Sequence, residues 1–257
     1  IEREGGIAFL ILDNPARLNA LTSAMWGAIP RLMTEAEADP EVRVIVLKGA
    51  GGKAFSAGAD ISEFDSARTG DAAKVYDALN HAAFEALLGA NKPTLAMIEG
   101  FCLGGGLGIA ACCDLRLAND AATFAIPAAK LGLGYHPRWV RTLLTLAPPA
   151  SVKELLFTGR RFGASEALQM GLVNTVVPLE RLEEETLQWA REILQMSPLA
   201  IRCLKAALNA DTDGQIGLLD FAGNATLLYY MTEEAQEGRD AYVQKRKPNF
   251  KKFKRVP

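Results

Sequence analysis

Phe101-Cys102-Leu103-Gly104-Gly105-Gly106-Leu107-Gly108-Ile109-Ala110-Ala111-Cys112-Cys113-Asp114 is the stretch on which the fold is decided. The apolar run Thr94 to Ile98 ahead of it predicts a strand, and Leu107 to Cys113 predicts an apolar helix. The glycines between them carry no Cβ, so backbone and ligand can come close. A helix start leaves N–H groups unpaired and carries the positive end of the helix dipole, which favours a negative oxygen. A second loop of the same kind, Ala54-Phe55-Ser56-Ala57-Gly58-Ala59-Asp60, follows the strand-like run Val42 to Leu47. Two such loops on different strands can aim two backbone N–H groups at one carbonyl oxygen. That device, an oxyanion hole, stabilises a tetrahedral intermediate or an enolate.

Outward from these loops the pattern alternates. Ile7 to Leu12 predicts a buried strand, and Asp13-Asn14-Pro15 turns the chain. Thr22 predicts the N-cap of a helix to about Asp39, with Pro30 inside it predicting a kink or a break. Ala72 to Leu88 has helical spacing, and Leu115 to Ala118 and Thr123 to Ile126 are short strand candidates. Strand and helix in turn imply an α/β fold with parallel pairing and crossover helices. Further on, Ser151-Val152-Lys153-Glu154 has the spacing of a capping box. Gly163 is placed to cap a short helix that Gly171 ends, and Val173 to Val177 predicts a last small strand. Helices are expected over Leu179 to Gln195, from Ser197-Pro198, over Gly214 to Met231 (where Asp220 and Asn224 interrupt the apolar face), and from the cap Thr232 to about Lys245. The chain divides near residue 196 into a mixed core, 1–195, and a helical C-terminal region, 196–257.

Composition narrows the function classes. The chain has 257 residues, 49% hydrophobic and 23% charged, with a net charge of −2. That balance is globular and long enough for a sizeable core. It supplies no global field toward nucleic acid or an anionic membrane. The basic run Lys245-Arg246-Lys247 with Lys251, Lys252, Lys254 and Arg255 is local, so nucleic acid is the minority reading for it. Cys102, Cys112, Cys113 and Cys203 form no C-x-x-C pair and read as buried thiols in a reducing, cytoplasmic setting. The chain begins at Ile1 without a Met, which leaves a removed leader open. No run approaches the roughly 20 apolar residues of a membrane span. Two histidines, His81 and His136, and scattered cysteines give no metal-ligand spacing, and no Gly-x-Ser-x-Gly occurs.

An ordered set of segments resembles the enoyl-CoA hydratase/isomerase (crotonase) family. It includes Leu12-Asp13-Asn14-Pro15 with Asn19-Ala20-Leu21, Phe55 to Ile61, Gly104-Gly105-Gly106 with Cys113-Asp114-Leu115-Arg116 and Ala118, Phe157-Thr158-Gly159, Ala164 to Ala167, Gly171 to Asn174, and Glu237-Gly238 to Phe250-Lys251. The resemblance implies a crotonase-like spiral of ββα units with a C-terminal helical trimerisation region, assembling as trimers or hexamers. It implies an acyl-CoA thioester as substrate, with coenzyme A entering as part of that substrate and no other cofactor. By residue-level match, the N–H groups of Ala59 and Gly105 would hold the thioester oxygen, with Gly104 beside them. The CoA end would lie along Ala57, Gly58, Ala59, Asp60 and Ile61, and Tyr242 and Lys245 fall where the family places C-terminal CoA contacts.

The departures from the family pattern bear on chemistry. The hydratases carry two glutamates; here Gly108 and Ala128 stand in their places, with Ala129 next. Hydration needs a base to activate water and an acid to deliver a proton, and neither residue supplies one. Asp60, Glu63 and Asp65 lie just past the first loop, where one of them could enter the acyl pocket as a substitute. In the family's decarboxylase branch a tyrosine follows a similar Leu-Gly loop; here Leu131-Gly132-Leu133-Gly134 leads to Tyr135 and His136. That branch also carries a polar residue where this chain has Ala59. Loss of CO₂ generates an enolate without any base, which suits a site lacking both acids. Decarboxylation of a carboxyacyl-CoA is therefore the preferred expectation. Hydration or isomerisation through another acid, and a non-catalytic acyl-CoA-binding scaffold, are the alternatives.

Overall fold

The computed structural model describes residues 1–63, 70–212 and 232–253. The helix expected over Gly214 to Met231, with Asp220 and Asn224, lies outside these residues, as do Asp65, Lys254 and Arg255.

The chain opens with β1 (Glu2–Glu4), β2 (Ile7–Leu12) and α1 (Ser23–Ala38), then β3 (Val44–Gly49) and β4 (Ala54–Ser56). After α2 (Gly70–Leu88) come β5 (Thr94–Ile98), β6 (Phe101–Leu103) and α3 (Gly105–Cys112), followed by β7 (Leu115–Asn119) and β8 (Thr123–Ala125). The rest is α4 (Pro137–Leu146), α5 (Pro149–Thr158), β9 (Phe162–Gly163), α6 (Ala164–Gln169), β10 (Thr175–Val177), α7 (Leu179–Leu194), α8 (Pro198–Thr212) and α9 (Glu233–Val243).

Two sheets share the strands. The larger runs β1-β2-β3-β5-β7-β10 and is parallel except for β1. The smaller runs β4-β6-β8-β9, with β9 antiparallel. From β3 to β8 each turn lays one strand in the large sheet and the next in the small sheet, and α2 and α3 carry the chain back between turns. This is a spiral of ββα units. Gly100 (φ +61°) makes the corner between β5 and β6, where an added Cβ would stand 2.1 Å from the Lys53 carbonyl oxygen. Buried Asn119 fastens that corner by accepting the Gly100 N–H at 2.9 Å.

The large sheet is covered on both faces, which is why its strands read as unbroken apolar runs. Alternate residues of β3 divide between two cores. Ile45 and Leu47 join Trp26, Phe55, Phe84 and Phe124 on one side. Val44 and Val46 meet Leu182, Ala190 and Leu194 of α7 on the other. Burying a side chain such as Leu182 contributes about 1.5–3 kcal/mol.

The structure corrects four local expectations. The glycine loops do not hang directly from the large-sheet strands; three-residue β4 and β6 intervene. They pair with each other, which is what brings the loops together. The strand expected over Val42 to Leu47 runs two residues later, because Glu41 and Val42 turn the chain after Asp39. α1 continues unbroken through Pro30, its buried stripe of Trp26, Ile29, Met33 and Ala36 outweighing the lost backbone bond. Ser151 is not a cap: α5 starts at Pro149, whose fixed φ suits the first helical position. The Thr22, Ser197 and Thr232 caps form as expected, each side-chain oxygen accepting a backbone N–H. Cys102, Cys112 and Cys113 are buried free thiols, and Cys203 is half-buried. No helix among the described residues is long and apolar enough to cross a membrane.

Candidate active site

The first loop is held from below by the segment after β2. Asn19, fully buried at φ +56°, donates from Nδ2 to the carbonyls of Ala50 and Ala54 at 2.9 and 2.7 Å. Ser56 Oγ donates to the Asn19 carbonyl and accepts the Gly58 N–H. Ala57 N–H reaches the Leu18 carbonyl at 2.8 Å. Leu21 then bridges across Ala59: its N–H bonds the Gly58 carbonyl at 2.7 Å and its carbonyl accepts from Asp60 N–H at 2.9 Å. These bonds fix the residues on either side of Ala59 and leave its own N–H without an acceptor among the described residues.

The second loop touches the first through glycine. A Cβ on Gly58 (φ +93°) would lie 2.8 Å from the Leu103 carbonyl oxygen and 3.3 Å from the Gly105 nitrogen. A Cβ on Gly105 would lie 2.8 Å from the Trp26 ring and 3.8 Å from the Ala59 nitrogen. Only glycine lets the two strands of backbone meet this closely. Gly105 opens α3, so its N–H has no partner within the helix. Gly104 N–H is taken by the Ala125 carbonyl at 2.7 Å, which leaves Gly105 as the open donor beside Ala59.

Beyond this turn, α3 runs into an aromatic wall. A Cβ on Gly108 would meet Phe84 Cζ at 2.8 Å and Tyr135 Oη at 2.9 Å. The space in which a glutamate at this position would begin is therefore already filled. Rings continue outward: Trp26 and Phe84 are 5.5 Å apart between centroids, Phe84 and Trp139 4.5 Å, Tyr135 and Trp139 5.6 Å. Tyr135 Oη is buried with no hydrogen-bond partner among the described residues, and burial pushes the phenol up from its ordinary pKa, so it stays protonated. Ala128 opens a turn of 3-10 helix, Ala128–Leu131, and packs against the same core.

The remaining candidates are placed differently. Asp60 is not a solvated acid: it is 5% exposed, receives Arg17 Nη1 at 2.9 and 3.1 Å and is held by Ser62 through Oγ and N–H. Those Ser62 hydrogen bonds first, then Arg17, lower its pKa. Glu63 caps the start of α1, accepting from Ser23 N–H and Oγ at 2.8 and 2.7 Å. Neither carboxylate is spare to replace the missing glutamates. His136 is exposed and serves as the N-cap of α4, its Nδ1 accepting from Arg138 N–H at 3.3 Å. Its ring faces His81 and Trp139 rather than the turn. Ile61 and Tyr242 are exposed, at 71% and 86%, and Lys245 lies exposed just past α9. The basic tail folds back on Glu237, which takes Arg246 at 2.6 Å, the Asn249 N–H at 2.7 Å and Lys252 at 3.2 Å. Asp114 is structural, holding Thr94 and Lys205.

Two cavities of about 650 and 640 Å³ lie elsewhere, against the start and the length of α8. Neither is lined by Ala59, Gly105 or Tyr135. The site is marked by open donors, not by either of these hollows. Sequence reasoning missed Asn19 and Ser56 as props of the first loop, and Trp26, Phe84 and Trp139 as walls. The advance signals were the places of Asn19 and Ser56 within segments of the resemblance.

A ββα spiral with two glycine turns meeting at open N–H groups defines a class of protein, and comparison gives it a family. The profile described as enoyl-CoA hydratase/isomerase matches residues 2–254. A solved enoyl-CoA hydratase/isomerase family protein from Hyphomonas neptunium is 38% identical, covers 97% of this chain and 95% of its own, and superposes with a TM-score of 0.93. An enoyl-CoA hydratase/carnithine racemase from Magnetospirillum magneticum is 36% identical, covering 96% and 93%, with a TM-score of 0.92. Human enoyl coenzyme A hydratase domain-containing protein 3 is 28% identical over 96% of this chain and 98% of that one, with a TM-score of 0.88. The chain belongs to the enoyl-CoA hydratase/isomerase family.

Proposed function

We propose that this protein is an acyl-CoA lyase that decarboxylates a carboxyacyl-CoA. The N–H groups of Ala59 and Gly105 receive the thioester oxygen. The bond from Cα to the carboxylate breaks, its electron pair moves into the thioester to form the enolate, and CO₂ leaves. One proton, from the Tyr135 hydroxyl or from water, then completes the product at Cα. If Tyr135 gives it, solvent returns a proton to the phenolate. Each oxyanion donor contributes about 2.7–4 kcal/mol to such a transition state. CoA contacts along Ala57 to Ile61, with Tyr242 and Lys245, and assembly into trimers or hexamers through the C-terminal helices complete the reading; family membership is what supports both.

The observation that carries it is the Tyr135 hydroxyl, buried, without a partner among the described residues and seated against Gly108 where a hydratase would place an acid. Burial makes it a donor and disfavours its use as a base. It is suited to orient a departing carboxylate and unsuited to activate water.

Purified protein incubated with crotonyl-CoA, a 3-enoyl-CoA, methylmalonyl-CoA and ethylmalonyl-CoA, with products read by mass, tests the proposal. CO₂ release from a malonyl-type substrate, falling about 10- to 100-fold in Tyr135→Phe as a hydrogen bond to a charged group is lost, is the expected result. Fast hydration of crotonyl-CoA would overturn it. Binding of CoA esters without turnover on any substrate would point instead to a scaffold.

A further inference from the structure

The chain has three tryptophans, and two of their indole N–H groups are taken. Trp26 Nε1 donates to Tyr76 Oη at 3.1 Å and Trp189 Nε1 to Glu185 Oε1 at 3.0 Å. Trp139 Nε1 is buried with no partner among the described residues. It sits in the same wall as the Tyr135 hydroxyl, ring to ring at 5.6 Å with a near-perpendicular angle of 71°, and both pack on the core beside Phe84. Buried donors are nearly always satisfied, because an orphan retains the cost of leaving water. Two orphans on adjacent turns of one segment, beyond the Ala59–Gly105 turn, call for an acceptor-rich group from outside the described residues.

We infer that Trp139 is a specificity-determining residue whose indole N–H, with the Tyr135 hydroxyl, receives the carboxylate of the acyl group. This rests on the decarboxylase reading and names how that substrate is chosen. The pair suits the reaction because both donors are neutral. Arg138, the cation next to Trp139, is engaged by Glu85 at 2.7 Å. Two neutral hydrogen bonds fix the carboxylate across from the oxyanion turn without adding a positive charge that would hold the ground state back. The surrounding rings exclude water, and the neutral product CO₂ fits that setting better than the carboxylate does.

The test separates selection from turnover by using ligands that cannot react. Carboxyethyl-CoA and propyl-CoA, both thioethers without a carbonyl, differ only in the terminal group, and their Kd values are compared by calorimetry. Wild-type protein is expected to bind carboxyethyl-CoA about 10-fold tighter, as hydrogen bonds to a charged group provide. Trp139→Phe, which keeps a ring against Phe84, is expected to remove most of that preference, read as the ratio of the two Kd values. In wild-type protein labelled with ¹⁵N at the indoles, carboxyethyl-CoA shifts one of three Nε1–H resonances, the one lost in Trp139→Phe, and propyl-CoA does not. Equal affinity for the two thioethers, or a preference untouched by Trp139→Phe, overturns the inference. A carboxylate preference without CO₂ release would leave it standing and sink the decarboxylase reading.

Discussion

The turn at Ala59 and Gly105 and the wall that begins at Gly108 are less than one helical turn apart, yet they are made of different material. The turn is main chain. Its donors are backbone N–H groups, and its shape is enforced by glycines at contact distance from backbone or ring. The wall is side chain, four aromatic rings in which Tyr135 Oη and Trp139 Nε1 lack partners among the described residues while Trp26 Nε1 donates to Tyr76. A hydratase would need the turn and an acid pair; this chain has the turn and an aromatic surface in place of one acid. On the function proposed above, the half of the site that would stabilise a negative oxygen is built of main chain, and the half that would choose the reaction is built of rings.

The largest effect should come from the turn. Gly105→Ala puts a Cβ 2.8 Å from the Trp26 ring, which is fully buried and cannot give way. The helix start must move, and the Gly105 N–H moves with it. We expect kcat for CO₂ release to fall about 10²–10³-fold, the loss of one oxyanion donor. A variant that folds with near-normal kcat would show that this N–H is not the receiving group, and the contrast between turn and wall would lose its first half.

The wall gives the next effect. If Phe84 and Tyr135 fill the space beyond Gly108, restoring the family's glutamate cannot restore hydration. Gly108→Glu is expected to lower stability by about 1–3 kcal/mol through overpacking and to leave crotonyl-CoA unhydrated. Denaturant titration and a hydration assay read the two outcomes. Gain of hydration in the single variant would mean that the rings move aside and that the wall is not a barrier.

The two halves also differed in how far the sequence foretold them. The large-sheet strands showed as unbroken runs such as Val44 to Leu47, because both faces are covered. The turn showed in its glycines. β4 and β6 did not, since each is only three residues long and set directly against a glycine loop, and only their pairing reveals them. Pro30 predicted a break that packing overrode. The wall was half legible: Tyr135 stood out by its place after a Leu-Gly loop, but the state of its hydroxyl depends on Phe84 and Gly108, distant in sequence. Trp139 gave no signal at all, for an indole N–H is orphaned or satisfied only by what folds against it. That Asp60 is held rather than spare for the pocket was not legible, because its partner Arg17 comes from another segment.

That Arg17–Asp60 pair supports the smallest prediction, and it asks whether the main-chain turn stands on its own. Asp60 follows Ala59 directly, and its carboxylate is tied to Ser62 and Arg17. These bonds lower its pKa below the ordinary 3.8, Ser62 contributing first. A carboxyl whose folded-state pKa is depressed adds stability above its unfolded pKa and loses it as pH falls through the folded one. At pH 7, Asp60→Asn should therefore lower Tm by about 2–4 °C, the shift that 1 kcal/mol makes in a chain of this size. The gap between wild type and variant should narrow as pH drops below about 4, because wild-type Asp60 then takes up the proton that the amide mimics. Since Ala59 is bracketed separately by Leu21, kcat at pH 7 should change by less than the Gly105→Ala effect. A gap that stays constant with pH would mean the carboxylate's charge does not secure the loop. A kcat loss as large as that of Gly105→Ala would show that the turn relies on this side-chain latch as much as on its glycines.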